Sequence, residues 1–90
     1  MNRYQMLAAA ELAVRDRQNS YGSPEESFDR TAKIWNIILA GKLGEEHEIS
    51  ATDVAMMMCG MKLSRLIENP GHLDSTVDLA GYASILAEIT

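Results

Sequence analysis

Three polar breaks divide the chain into four segments whose apolar residues recur at helical spacing. The breaks cover residues 18–23, 41–49 and 69–71. Between them, apolar residues return every three or four positions and no stretch alternates with a period of two, which predicts helices and no strands. We therefore expect helices over about residues 2–17, 24–40, 51–68 and 73–89.

Two of these helices have clear start signals. Ser23 precedes Pro24 and is followed three residues later by Glu26, the pattern of a capping hydroxyl, a proline in the first turn and a capping-box acid. Ser50 and Asp53 repeat the hydroxyl and the acid. The third break is short, so the fourth helix should lie antiparallel to the third.

The predicted fold is all-α, a compact antiparallel four-helix bundle in one domain over residues 1–90. Such a short domain buries only about 60 to 65% of its unfolded surface, so we expect homo-oligomerisation to complete its core. The third helix supports this expectation because it is apolar on two sides: Val54 and Met58 lie on one, and Met56, Leu63 and Ile67 on the other.

The charge balance narrows the possible partners. The net charge of -5 provides no broad basic surface for a nucleic-acid polymer, although a small phosphorylated ligand needs only a few local cations. Cys59 is the single cysteine, which excludes an internal disulfide and fits a reducing compartment. No segment has the eighteen or so apolar residues that a bilayer span needs, so we expect a cytoplasmic protein without a membrane partner.

The fourth helix places carboxylates on a face that should be core. Asp74 and Asp78 share this face with Tyr82 and Ile85. A buried carboxylate must be hydrogen-bonded, paired with a cation, bound to metal or protonated. Asp74 has a simpler alternative, because it can cap the helix.

Two cations of the third helix are candidate partners for these acids. Lys62 and Arg65 are three residues apart and fall on one side of the helix. They form either salt bridges to Asp78 and Asp74 or a clamp for a phosphate, to which arginine binds well through two parallel hydrogen bonds.

The first two helices contribute further candidates. In the first, Tyr4, Leu7 and Leu12 mark the expected inner face, and Glu11 and Arg15 are spaced to form a pair within the helix. The second helix gathers the apolar residues Phe28, Ala32, Trp35 and Leu39 into one stripe.

Two aromatic residues are placed to stack on a nucleotide base. Tyr21 lies in the glycine-containing first break. Trp35 lies near the acids Glu25 and Asp29, which flank the stripe of the second helix, although its place in that stripe favours packing in the core.

Several of these residues also carry a family resemblance. The relevant motifs are YGSPEESF over residues 21–28, DVAMM over 53–57, KLSRL over 62–66, HLDS over 72–75 and DLAGY over 78–82. Together they resemble a family of small phage and prophage proteins of unassigned function, over residues 15–87. That family is similar, more distantly, to the all-α MazG-like nucleoside triphosphate pyrophosphohydrolases.

The more distant resemblance implies a magnesium site. MazG-like enzymes hold Mg²⁺ with two acidic pairs, E-x-x-E and E-x-x-D, and split the α-β phosphate bond of a nucleotide. Asp78 corresponds to the last acid, but Ser75 stands where the enzymes have glutamate. If the protein is an enzyme, the resemblance implies a metal site drawn from Glu25, Glu26, Asp29, Asp74 and Asp78.

These observations favour a protein that binds or sequesters a phosphorylated nucleotide, such as a host-defence signal, without turnover. Lys62 and Arg65 would contact phosphate, with Asp74 and Asp78 organising them and with Tyr21 and Trp35 available for the base. One alternative is a Mg²⁺-dependent pyrophosphohydrolase, for which the sequence assigns no catalytic residue. A second alternative is a structural or protein-interaction module whose charges only form salt bridges.

Overall fold

Four α-helices build the computed structural model of the chain, which describes residues 1–44, 46 and 48–90, without the side chain of Tyr21. The helices are α1 (Arg3–Tyr21), α2 (Pro24–Leu43), α3 (Ala51–Glu68) and α4 (Leu73–Ile89). Within these residues there is no strand and no helix long and apolar enough to cross a membrane.

The predicted helix starts of α2 and α3 are confirmed. The Ser23 hydroxyl accepts a hydrogen bond from the backbone N–H of Glu26 at 3.2 Å. In α3, Ser50 and Asp53 form a reciprocal capping box, in which each side chain accepts from the backbone N–H of the other residue.

The cap of α4 is His72, so the alternative that Asp74 caps this helix is wrong. His72 Nδ1 accepts a hydrogen bond from the backbone N–H of Ser75 at 3.3 Å and contacts the Ser75 hydroxyl at 2.7 Å. Asp74 lies in the first turn of the helix and is exposed.

Helices α1 and α2 extend past the predicted ends at residues 17 and 40. The polar residues of the first break continue α1 as exposed helical turns, and the helix ends only at Gly22, where φ is 82°. Gly44 ends α2 in the same way with φ at 90°. Both positions favour glycine because other residues rarely adopt positive φ.

The four helices pack with unequal closeness. α4 packs most extensively on α3 and also on α1, α2 packs mainly on α3, and α1 and α2 contact each other only slightly. Four residues, 69–72, join α3 to α4. Each helix contributes to a small apolar core that consists of Ala10, Ala32, Val54, Ala55, Tyr82 and Ile85.

The inner face of α1 differs from the prediction. Tyr4, Leu7 and Leu12 are exposed, whereas Ala10 is buried and Val14 is half-buried. The small side chains of Ala10 and Val14 let α1 approach α4 closely. At the approach, a Cβ on Gly81 would lie 3.2 Å from Val14 Cγ2.

A pair of hydrogen bonds ties the segment before α3 to α2. The Asn36 side chain donates from Nδ2 to the Ile49 carbonyl at 3.0 Å and accepts from the Ile49 N–H at 2.7 Å. One side chain therefore satisfies both backbone groups of Ile49.

The described chain is more extended than a typical domain of its length. Its radius of gyration is 14.3 Å, against about 12 Å for a compact 90-residue domain. Many large apolar side chains remain exposed, among them those of Ile37, Met61, Leu63 and Ile67. These exposed side chains agree with the expected homo-oligomerisation, which stays a prediction because only one copy of the chain is present.

The close approach of α1 and α4 is tested by Gly81→Leu. The added side chain meets Val14, so this overpacking should lower the free energy of unfolding by about 1 to 3 kcal/mol in urea denaturation. The matched change Gly41→Leu in α2 places its Cβ in open space and should leave stability equal or higher. Equal effects of the two changes would contradict the packing described here.

Candidate functional site

Asp78 of α4 is the centre of an ion-pair cluster that joins three helices. Its side chain is 19% exposed. Arg17 of α1 donates from Nη2 to Oδ1 at 2.6 Å, and Lys62 Nζ of α3 lies 3.1 Å from Oδ2. Each carboxylate oxygen therefore has a cation of its own from a different helix.

Opposing effects act on the pKa of Asp78. Desolvation by burial is the largest and raises the pKa, but the hydrogen bonds and positive charges of Lys62 and Arg17 together lower it. The result is a pKa below the ordinary carboxyl value, so the folded protein favours the charged carboxylate.

Arg17 is held in place by an aromatic ring as well as by Asp78. Its Cζ lies 4.9 Å from the ring centroid of the buried Tyr82, within the range of a cation–π interaction. Phe28 packs beside Tyr82 with the ring centroids 6.2 Å apart. Arg17 Nη1 is buried and has no hydrogen-bond partner among the described residues. We call Arg17, Lys62, Asp78 and Tyr82 the Asp78 cluster.

A cleft opens next to the Asp78 cluster, between α1, α2 and α4. Its volume is about 270 Å³. Both polar and apolar side chains form its walls, and Arg17 and Tyr82 belong to both the cleft and the cluster. The cleft is lined by Val14, Arg17, Gln18, Gly22, Pro24, Ser27, Phe28, Tyr82 and Ile85.

The structure brings together two of the predicted ligand-binding residues, Lys62 and Asp78. Arg65 lies one turn further along α3 and is exposed. The described ion pairs of Asp78 are with Arg17 and Lys62, so Arg65 is not its counter-ion.

The other predicted binding residues lie outside the cluster. Asp74 is exposed, one turn before Asp78. Trp35 is half-buried and lines a separate apolar cavity of about 260 Å³ with Ile38, Leu39 and Met57. The side chain of Tyr21 is outside the described residues, although its neighbour Gly22 lines the cleft.

The five acids of the implied magnesium site do not assemble. Asp78 is engaged by two cations, and the other four acids are exposed: Glu25, Glu26, Asp29 and Asp74. Over residues 1–44, 46 and 48–90, no three histidine, cysteine or acidic side chains are close enough to hold one metal ion. Asp78, whose two oxygens are already paired with cations, is therefore the acid least available to coordinate Mg²⁺.

Sequence reasoning missed Arg17. On a helical wheel it falls within about 60° of Ala10 and Val14, which proved to be the inner face of α1. The small side chains of Ala10 and Val14 were the available signal for this inner face. The prediction instead followed the larger apolar side chains on the opposite side of α1. The pairing also spans 61 positions of sequence, beyond the reach of any local pattern.

Comparisons with known proteins identify relatives over most of the chain. The family model described as "Domain of unknown function (DUF6378)" matches residues 5–90. The Gene 55 protein of Mycobacterium phage L5 is 34% identical over 84 residues, which cover 93% of this chain and 51% of that protein. The Gene 55 protein of Mycobacterium phage D29 is 38% identical over 81 residues, covering 90% of this chain and 50% of that protein.

The chain thus spans about half the length of these curated relatives. No solved structure gives a significant match.

The lowered pKa of Asp78 predicts a pH-dependent contribution to stability. The ion pairs contribute fully above the ordinary carboxyl pKa and are lost as pH falls through the lower pKa of the folded state. Asp78→Asn should therefore cost about 1 to 2 kcal/mol of unfolding free energy at pH 7. This difference from the unchanged protein should disappear at acidic pH.

The measurement is urea denaturation from pH 7 down to about pH 1.5, a range that extends well below the ordinary carboxyl pKa. Asp74→Asn is the matched control, because Asp74 is exposed in the first turn of the same helix, where an acid contributes about 0.3 to 1 kcal/mol, and its deficit should therefore be smaller than that of Asp78→Asn. A constant deficit of Asp78→Asn across the range would contradict the charge-dependent role.

Proposed function

Because the chain belongs to the DUF6378 family, whose description assigns no activity, we propose its function from the Asp78 cluster and the adjoining cleft. We propose that the protein binds a small phosphorylated nucleotide there and retains it without hydrolysis. The phosphate would meet Arg17 and Lys62, and the base would enter the cleft beside Phe28 and Tyr82.

The observation that carries this proposal is the guanidinium nitrogen Nη1 of Arg17, which has no hydrogen-bond partner among the described residues. Buried polar groups in folded proteins almost always have a hydrogen-bond partner, so the Arg17 side chain, which also lines the cleft, would gain a partner for Nη1 by turning toward a phosphate bound there. Arg17 is already oriented by Asp78 and Tyr82. A phosphate oxygen is a strong acceptor for such a preorganised guanidinium.

Local charge also favours an anion. Arg17 and Lys62 supply two positive charges against the single negative charge of Asp78, so the cluster is locally cationic on a chain whose net charge is -5. Such an isolated cationic site suits a small anion better than a polymeric phosphate backbone, which needs a broad basic surface.

The cleft supports a ligand of limited size. Its volume of about 270 Å³ is close to the lower end of small-molecule sites, about 300 Å³. Phe28 and Tyr82 provide aromatic surface against which a base can pack. The proposal therefore places the base against these two rings and not against Trp35.

The proposal treats three other predicted residues, Arg65, Asp74 and Tyr21, in different ways. Arg65, one turn beyond Lys62 and exposed, would be a second cation for phosphates that extend from the cleft. Asp74 is exposed and would not organise the cations as predicted, since Asp78 does so alone. Tyr21 remains a predicted stacking residue.

Retention without hydrolysis is supported by the arrangement of the acids. Asp78 is paired with two cations, and no three acids of the described residues lie close enough to hold one ion together, as the two acidic pairs of MazG-like enzymes would. Ser75, where those enzymes have glutamate, is 1% exposed and contacts His72. A longer charged side chain at this position would have to displace packed neighbours.

The phage origin of the relatives gives the proposal a biological setting. A phage protein that holds a nucleotide without consuming it can withdraw a host-defence signal from the cytoplasm. This extension rests on analogy with the setting of the relatives. The expected homo-oligomer rests on a different observation, the small size of the core.

The second alternative, a structural or interaction module, has one observation in its favour. The ion pairs of Asp78 join α1, α3 and α4, which is sufficient to explain the charge cluster without any ligand. The two functions differ in one measurable respect: a ligand that binds only the folded protein raises its melting temperature.

Nucleotide binding is tested by removing the two cations. Arg17→Met and Lys62→Met should each weaken binding by about 10 to 100 fold in calorimetry, because each removes a charge-assisted contact to phosphate. Arg17→Lys keeps the charge but loses the planar donor pair, so its loss of affinity should be smaller than that of Arg17→Met. The exposed Lys42, in the last turn of α2, provides the matched control Lys42→Met, which should bind normally.

The probes are a panel of linear and cyclic adenine and guanine nucleotides, with circular dichroism to confirm that each variant keeps its helix content. Absence of binding and of any rise in melting temperature across the panel would favour the structural module. Equal losses in Lys42→Met and Lys62→Met would show that binding is not at the cluster.

Turnover is tested separately by incubating the protein with Mg²⁺ and any nucleotide that binds. We expect the nucleotide to be recovered intact after the protein is denatured. Release of pyrophosphate with a monophosphate product would instead establish the pyrophosphohydrolase. Glu26→Gln and Asp29→Asn are the variants that should then remove activity, and neither should affect simple retention.

A further inference from the structure

A second cavity adjoins the cleft on the side away from the Asp78 cluster. Its volume is about 150 Å³, and it shares Gln18 and Pro24 with the cleft. Its other lining residues come from the start of α2 and the end of α4, and two of them are the acids Glu25 and Glu88. We call this second cavity the acidic end of the cleft.

The cleft and its acidic end together carry opposite charges at their two ends. At one end Arg17 and Lys62 outnumber Asp78, and at the other end lie Glu25 and Glu88. Glu88 is about 15 Å beyond Asp78 along the axis of α4, a span that one nucleotide and the side chains at its two ends can fill. A ligand that lies along this groove should therefore carry an anion at one end and hydrogen-bond donors at the other.

Glu88 is unfavourable for the helix that carries it. It lies in the last turn of α4, where the negative end of the helix dipole disfavours an acid, and that turn contains no basic residue. Glu88 also forms no ion pair with any described residue. Glu25 differs, because an acid in the first turn of α2 is favourable there. A residue that breaks a local rule in this way is typical of a functional position.

We propose that the acidic end makes the site selective for guanine nucleotides, a specificity that rests on the proposed nucleotide site. Guanine presents the donors N1–H and the 2-amino group on one edge, next to the acceptor O6. The Glu88 carboxylate accepts from the two donors, and Glu25 adds negative charge at the same edge. The Gln18 amide lines both cavities and donates to O6.

The other bases match the acidic end less well. Adenine has an unprotonated N1 at the position of the guanine N1–H, so an acceptor of the base would face the acceptor oxygens of the carboxylates. Hypoxanthine keeps N1–H and O6 but lacks the 2-amino group. Guanine should therefore bind most tightly, hypoxanthine less tightly and adenine least.

The test is calorimetry with GMP, IMP and AMP, and with the same three bases as 5′-triphosphates and as 3′,5′-cyclic phosphates. Within each phosphate form that binds, guanine should bind at least about 10 fold more tightly than adenine, with hypoxanthine between them. Glu88→Gln should reduce the ratio of guanine to adenine affinity to less than about 3 fold, because an amide offers adenine a donor as well as an acceptor. Glu68→Gln is the matched control, since Glu68 is also exposed in the last turn of its helix, and it should leave the ratio unchanged.

Equal affinities for guanine and adenine would overturn the guanine selectivity and leave the proposed nucleotide site standing. Absence of binding by all of these nucleotides would overturn both. A ratio that Glu88→Gln leaves unchanged, or that Glu68→Gln lowers equally, would overturn the role of the acidic end. Unfolding cannot imitate the expected result, because Glu88→Gln removes an acid from the negative end of the α4 dipole and should keep the helix content intact.

Discussion

The half-buried carboxylate of Asp78 is the constraint on which the arrangement of three helices depends. A carboxylate at this depth needs counter-charges, and it obtains one from α1 and one from α3. The apolar core around it is too small to fix the helices alone, with Val54, Tyr82 and Ile85 as its only large buried side chains in the described chain. The ion pairs therefore help to fix the relative positions of α1, α3 and α4, which apolar contacts alone specify only weakly.

Local sequence signals account for most of the helix boundaries. Ser23 and Ser50 mark the starts of α2 and α3 because a capping hydroxyl acts within three residues. The ends of α1 and α2 were harder to predict, since polar residues are compatible with exposed helical turns. There the decisive signals were Gly22 and Gly44, which accept the positive φ that ends the helices.

The candidate site could be predicted only in part. Placement of Asp78 among apolar residues followed from the period of α4, and Lys62 followed from its position on α3. Arg17 did not follow, because its partner is 61 positions away and because the inner face of α1 is built from small residues. Side-chain size misled the prediction. Where α1 and α4 approach closely, Ala10 and Gly81 are buried and Val14 is half-buried, whereas the larger Leu12 is exposed.

Asn36 has a consequence for how the protein can vary. By satisfying both backbone groups of Ile49, it anchors the entry to α3 directly on α2. The register of these two helices is therefore set at the anchor and not by the residues that precede it in the connection. Evolution can lengthen or rewrite that connection, and an engineer can insert a peptide tag into it, while the α2–α3 pairing keeps its alignment.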